Sequence, residues 1–82
     1  MIIKGHLVSN VNIRSTPSSA SSTNVVGTIF TGQNFVGSGY TKDATGKDWI
    51  TLSKVNGADK VGYIASYIAA VVIDEIISAG NE

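Results

Sequence analysis

The groups that could do chemistry in this chain are few, and their spacing does not suit catalysis. The 82 residues include one histidine and no cysteine, so no thiolate is available as a nucleophile. A serine nucleophile would need His6 as its base and a carboxylate to orient the imidazole. Nothing in the sequence places Asp43, Asp48 or Asp59 beside His6. The residue types therefore predict a protein that is not an enzyme and uses no cofactor.

The polar segment from Asp43 to Asp48 has a weak likeness to a metal-binding or phosphate-binding loop. It lacks the alternating carboxylates and the closing glutamate of a calcium loop. Gly46-Lys47 is followed by an aspartate, whereas a phosphate-binding loop continues with serine or threonine. A zinc site would lack ligands. We expect an ordinary solvated loop and no metal site.

Aromatic side chains provide the better case for a binding site. Tyrosine and tryptophan offer rigid apolar area with a polar tip, which suits sugar or peptide ligands. Trp49 is expected on the face of its strand opposite Ile50 and Leu52, where tyrosines could join it. The alternative is that these aromatics are half-buried and hold the roots of the loops. The predicted ligand-binding aromatics are Tyr40, Trp49, Tyr63 and Tyr67.

A short strand is expected to position the polar part of the same site. Apolar Val11 and Ile13 alternate with Asn12 and Arg14, which is the period of a half-buried strand. The polar residues from 15 to 24 then form a long loop, and loops rooted in a rigid strand often carry binding surfaces. Asn12, Arg14 and Thr16 are predicted ligand-binding residues, with structural anchoring of the loop as the alternative for the first two.

Further strands follow from β-branched runs separated by turn signals. Asn56-Gly57 predicts a tight hairpin, because both central residues of the favoured turn need a positive φ. One helical turn is expected near residues 65–67, with a last strand from Ile68 onward. The preceding strands are expected at residues 5–8, 11–14, 25–30, 34–40, 48–53 and 60–64. A chain of this length with five to six short strands predicts a single small all-β barrel.

The last segment is apolar except for Asp74 and Glu75, and it fits either a strand or a short helix with one apolar stripe. We expect it to pack against its own barrel or against a neighbouring copy, because an exposed apolar stripe is a liability. The predicted partner-binding residues are Val71, Val72, Ile73, Ile76 and Ile77.

The overall composition excludes several classes of partner. The formal net charge is zero, which argues against nucleic acid, whose phosphates favour clustered lysine and arginine. No run approaches the roughly 20 apolar residues of a membrane helix, so membrane insertion is not expected. No secretion signal is visible in the first residues.

Four pieces of the chain form a recognisable set: Val11-Asn12-Ile13-Arg14-Ser15-x-Pro17-Ser18, Val25-Val26-Gly27-Thr28-Ile29 with Gly32, Asp48-Trp49-Ile50-Thr51-Leu52, and Gly62-Tyr63-Ile64-Ala65-Ser66-Tyr67-Ile68. In order and spacing they resemble the motifs of bacterial SH3 domains (SH3b) over about residues 5–68. The resemblance implies an SH3-like barrel at residues 1–70 with a long RT-type loop at residues 15–24. Residues 71–82 would be an extension, which is not part of the family pattern.

The same resemblance implies a non-catalytic module that binds the peptide or glycan of bacterial cell wall in a shallow groove beside the RT-type loop. No hydrolase domain accompanies the barrel, which favours an alternative: a structural or assembly protein of a phage particle or a secretion or injection apparatus. In that alternative the apolar tail contacts other chains or further copies. Either function favours an extracellular, cell-wall-associated or virion location.

Overall fold

Seven antiparallel strands make up the regular structure of this computed structural model, which describes residues 1–78. The expectation of an all-β protein is confirmed: six strands precede residue 71, and the expected C-terminal extension forms a seventh. In one open sheet the strands follow the order β3-β2-β6-β5-β4-β1-β7. Their bounds are β1 Ile2–Leu7, β2 Val11–Arg14, β3 Val25–Ile29, β4 Asn34–Lys42, β5 Asp48–Val55, β6 Ala58–Ala65 and β7 Val71–Ile77.

The sheet is strongly curved, as the short connection between β1 and β2 requires. Three strands lie between β1 and β2 in the sheet order, so a flat sheet would separate them by about 19 Å. The four residue steps from Leu7 to Val11 can span only about 14 Å. The Gly32 amide, just beyond edge strand β3, also donates to the Leu7 carbonyl over 2.8 Å. The two halves of the sheet therefore face each other.

The concave face of this curved sheet holds one hydrophobic core. Its members come from every strand except β7, and Ile3, Ile29, Ile50 and Ile64 have no exposed surface. Ile73 of β7 packs against this core from its margin. The other buried members are Leu7, Val11, Ile13, Phe35 and Leu52.

The pairing of strand β4 is irregular around a glycine. The pairing of β4 with β5 shifts register on both sides of Gly37. A Cβ atom at this position would collide with the Ile50 side chain, so only glycine lets the two strands approach here. The predicted hairpin turn is also confirmed, because Asn56 and Gly57 have φ values of 51° and 87°.

The expected helical turn at residues 65–67 is wrong. Ala65 is the last residue of β6 and pairs with Trp49, so the strand takes up the first of these positions, and Ser66 and Tyr67 form a bend. A tight turn follows, closed by a hydrogen bond of 3.2 Å from the Val71 amide to the Ile68 carbonyl. The one 3-10 turn in residues 1–78 lies in the long loop instead, at Ser22–Asn24.

The apolar tail forms a strand through Ile77. Strand β7 pairs antiparallel with β1, with a bulge between Lys4 and Gly5. This pairing also explains why β1 begins at Ile2, earlier than expected, since Ile2 lies opposite Ile77. The remainder of the expected extension, residues 79–82, lies outside the described residues.

Candidate functional site

Two adjoining depressions form a groove beside the long loop, and one of them also borders the β4–β5 loop. The first has a volume of about 250 Å³ and is lined in part by Asn12, Arg14 and Trp49. The second has a volume of about 360 Å³ and lies between residues of the two loops. Ser19 and Tyr67 line both depressions. They therefore mark the junction of one continuous groove, which runs beside the long loop.

Hydrogen bonds from the side chains of Arg14 and Asn24 to oxygen atoms of the long loop hold this loop in place. Arg14 Nη1 donates to the Ser21 carbonyl and to Asn24 Oδ1, each over 2.9 Å. Asn24 Nδ2 donates to the Ser18 carbonyl at 2.8 Å and to Thr16 Oγ1 at 2.9 Å. Since each of these bonds is within the loop or at its root, the loop has a defined shape without packing into the core.

Trp49 lies opposite the Ile50 and Leu52 face, as the alternation of β5 predicts, but it is not outward. Its side chain is 1% exposed, and it is not a member of the core cluster on the concave face. Its Nε1 donates to Asp43 Oδ2 of the β4–β5 loop over 2.9 Å, and the Tyr67 ring packs against it. A buried indole N–H needs such an acceptor. The expectation of an exposed tryptophan platform is therefore wrong, and Trp49 contributes the closed floor of the groove.

Asp43 organises the β4–β5 loop as an acceptor of four hydrogen bonds. Besides the indole, it accepts from the Thr45 hydroxyl, the Thr45 amide and the Lys47 amide at 2.6, 2.8 and 3.0 Å. The Thr45 hydroxyl, followed by the Trp49 indole, holds the pKa of this carboxyl far below its usual range. The ionised Asp43 carboxylate therefore stabilises the folded state. This contribution is complete above the ordinary aspartate pKa of about 3.9, and it is lost as the pH falls through the lower pKa that Asp43 has in the folded state.

Tyr67 is the exposed aromatic side chain of the groove. Its ring meets the Trp49 ring edge-on, with centroids 6.0 Å apart and planes at 73°. The Nζ atom of Lys47 lies 4.7 Å from the Tyr67 ring centroid, within the range of a cation–π contact. With 43% of the residue exposed, the tyrosine is fixed by the tryptophan beneath it and remains accessible from solvent.

Four of the seven predicted ligand-binding residues share this groove: Asn12, Arg14, Trp49 and Tyr67. Thr16 is engaged with Asn24 in the loop anchor. Tyr40 and Tyr63 do not line either depression. Whether the four residues contact a ligand stays a prediction.

Sequence reasoning missed three residues that shape the groove: Ser19, Asp43 and Lys47. Asp43 carried a usable signal, because aspartate followed by Thr45 and Gly46 is typical of a turn in which the carboxylate accepts nearby amides. No local signal connects Ser19 or Lys47 to Tyr67. These contacts depend on how two loops far apart in the chain meet.

Outside the groove, the fold brings a carboxylate to the single histidine. His6 Nδ1 lies 2.8 Å from Asp74 Oδ2, across the pairing of β1 and β7. The sequence spacing could not show this pair, since 68 positions separate its members. Residues 1–78 contain no cluster of three histidine or carboxylate groups placed to hold a metal ion. No helix of the described region is long and apolar enough to span a bilayer.

Comparisons with protein-family models, with curated proteins and with solved structures gave no match. The function is therefore inferred from the fold and the groove themselves. Together they define an all-β protein whose strongly curved sheet carries a groove beside its long loop, with one accessible tyrosine.

Proposed function

We propose that the chain is an SH3-like barrel of the bacterial SH3 (SH3b) type and a non-catalytic module that binds the peptide or glycan of bacterial cell wall. The curvature that brings β1 beside β2 supports the barrel, with residues 15–24 as its RT-type loop. The order of the four sequence motifs supports the family. This function agrees with a formal charge of zero, which does not favour a polyanionic partner.

The observation that carries the proposal is the position of Tyr67 at the junction of the two depressions. Asn12 and Ser19 line the groove beside it and offer amide and hydroxyl groups for hydrogen bonds. An aromatic surface with hydrogen-bonding groups beside it is suited to an extended peptide or a sugar chain. The groove runs through both depressions, which favours an elongated ligand over a compact one.

Tyr67→Ala is expected to weaken sedimentation of the protein with purified peptidoglycan about tenfold or more. The substitution removes the accessible ring from the centre of the groove, and central aromatic anchors are commonly worth at least 2 kcal/mol of binding. Binding is measured as the fraction of protein that pellets with increasing amounts of cell wall. Trp49 fluorescence of the variant reports whether the floor of the groove stays folded.

Tyr40→Ala is the matched control. Tyr40 has nearly the same exposure, 39% against 43%, but it lies on β4 and lines neither part of the groove. We expect this variant to bind like the unchanged protein. Equal losses in the two variants, or no pelleting of the unchanged protein with cell wall of any bacterial type, would contradict the proposed site.

A second candidate function, assembly with other chains, is favoured by the free edge of β7. Strand β7 has one neighbour in the sheet of residues 1–78, β1, so its outer edge is unpaired. Ile76 and Ile77 are 47% and 37% exposed along it. An edge with exposed apolar side chains is a template for pairing with another strand. In this proposal the protein is a component of a multi-chain particle or apparatus.

If β7 is an assembly edge, the chain is expected to form oligomers that Ile76→Lys dissociates. A charge on an edge strand opposes pairing with a second strand, while the backbone pairing of β7 with β1 is retained. Light scattering over a range of concentrations gives the mass of each species. Val61→Lys, at a residue of β6 that is 85% exposed, is the control. A monomeric wild-type chain at every concentration would remove self-assembly as the function.

A further inference from the structure

The ammonium group of Lys47 lies over the ring of the groove's tyrosine. Its Nζ atom lies 4.7 Å from the Tyr67 ring centroid. The ion pairs among residues 1–78 involve His6, Lys42 and Lys54 instead. The Lys47 ammonium therefore interacts with the Tyr67 ring and forms no ion pair with a carboxylate among the described residues.

The surroundings of this ring attract positive charge. The face of a tyrosine ring carries the negative part of its quadrupole. Asp43 lines the same depression as Tyr67, and its carboxylate receives hydrogen bonds from two loop amides, a hydroxyl and an indole, none of which carries a charge. Its negative charge is thus solvated by the loop but is not neutralised there by a paired cation.

We propose that the face of Tyr67 is a subsite for a primary ammonium group of the ligand, and that Lys47 occupies this subsite until the ligand displaces it. The inference rests on the proposed function, since it names the chemical group that the cell-wall groove selects. The ligand is an extended peptide or glycan with a free amine, such as an uncapped amino terminus or an amino-bearing side chain.

An amine fits the site better than a carboxylate that would pair with Lys47. Exchange of one ammonium for another keeps the cation–π contact and keeps a positive charge in the depression that Asp43 also lines. A ligand carboxylate at the same place would share this depression with the Asp43 charge, and like charges repel. It would also draw Lys47 away from the ring without replacing the lost contact.

A ligand amine on the Tyr67 ring and a ligand carboxylate paired with Lys47 predict opposite effects of Lys47→Ala on binding. Removal of the internal competitor is expected to tighten binding to peptidoglycan about two- to fivefold, the worth of an exposed cation–π contact. Acetylation of the free amines of the peptidoglycan is expected to weaken binding of the wild-type protein and to abolish the advantage of the variant. Lys54→Ala, which removes one positive charge from the distant β5–β6 hairpin, controls for net charge and is expected to change little.

A defined small probe tests the subsite without cell wall. Nα-acetyl-lysine amide at millimolar concentration is expected to shift the NMR signals of the Tyr67 ring in Lys47→Ala, and its Nε-acetylated counterpart is not. No shift with the free amine would overturn the inference. Weaker peptidoglycan binding by Lys47→Ala with no effect of acetylation would overturn it and leave the proposed function standing. Absence of cell-wall binding together with a Tyr67 shift would remove the function and retain the amine subsite.

Discussion

Trp49→Ala is expected to lower the free energy of unfolding by about 3 kcal/mol, at the lower end of the range for large-to-small changes of buried aromatics. Trp49 is 1% exposed, and its indole is the donor that connects β5 to Asp43. The loop next to Trp49 can move into part of the cavity that the substitution leaves. This movement keeps the loss of unfolding free energy near the lower end of the range for buried aromatics. A chain of this size has only about 4–12 kcal/mol of stability, so the loss is a large fraction of the total.

Far-UV circular dichroism during thermal unfolding measures this effect, and a fall of the midpoint by about 10 °C or more is expected. Trp49→Phe is the control that keeps most of the ring but removes the hydrogen bond to Asp43, so a smaller loss, about 1–2 kcal/mol, is expected. If the alanine variant unfolds at the wild-type temperature, Trp49 does not support the groove, and the account of a closed floor fails.

Gly62→Ala is expected to destabilise the protein by about 2–4 kcal/mol. Gly62 has a φ of 154°, which side-chain-bearing residues rarely adopt. A Cβ atom there would lie 2.5 Å from Ile13 Cγ2 and 3.0 Å from the Arg14 carbonyl oxygen. This is the place where β2 meets β6 through a single pair, Arg14 with Tyr63. The substitution therefore separates the two halves of the curved sheet where their connection is shortest.

Urea unfolding of the Gly62→Ala variant, followed by Trp49 fluorescence, gives its stability directly. Gly39→Ala is the matched control, because a Cβ atom at that position meets no atom within 4 Å and the residue has no positive φ. The control is expected to be neutral or slightly stabilising, by up to about 1 kcal/mol. Similar midpoints for the two alanine variants would show that the β2–β6 contact is not a close one.

The sequence predicts which side chains share a face of each strand, but it does not predict which other residues pack over that face. The alternation in β5 placed Trp49 opposite Ile50 and Leu52 correctly, because side chains along a strand alternate by geometry. It was silent on burial, which depends on how the preceding loop folds back to bring Asp43 to the indole and on the Tyr67 ring from a later part of the chain. Trp49 is therefore buried at the bottom of the groove, whereas the sequence suggested an exposed aromatic surface.

Segments near the end of the chain show the same limit of local information. The pattern of Val72, Ile73, Ile76 and Ile77 satisfied a strand and a helix equally, and only pairing with β1 decided between them. The error at residues 65–67 has the same cause, because Ala65 stays extended through its pairing with Trp49. Turn residues were more informative: Asn56-Gly57 needed no distant partner to specify its hairpin.

The groove was half predictable for a related reason. Asn12 and Arg14 follow from the alternation of one strand, and Tyr67 from its aromatic type. The groove's other wall depends on Asp43 and Lys47, which became important only when the fold brought their loop to Tyr67. Chemistry carried by one segment was visible in the sequence, whereas chemistry shared between segments was not.

The anchoring of the long loop through main-chain oxygens has a consequence for how this protein can diversify. Arg14 donates a hydrogen bond to the Ser21 carbonyl, and Asn24 donates one to the Ser18 carbonyl. Every amino acid supplies such a main-chain carbonyl. The Ser21 hydroxyl also accepts from the Thr23 amide, but the side chains at positions 19, 20 and 22 can be exchanged while the path of the main chain is preserved. A randomised library over these three positions, with the two anchors unchanged, would create new recognition properties on a constant scaffold.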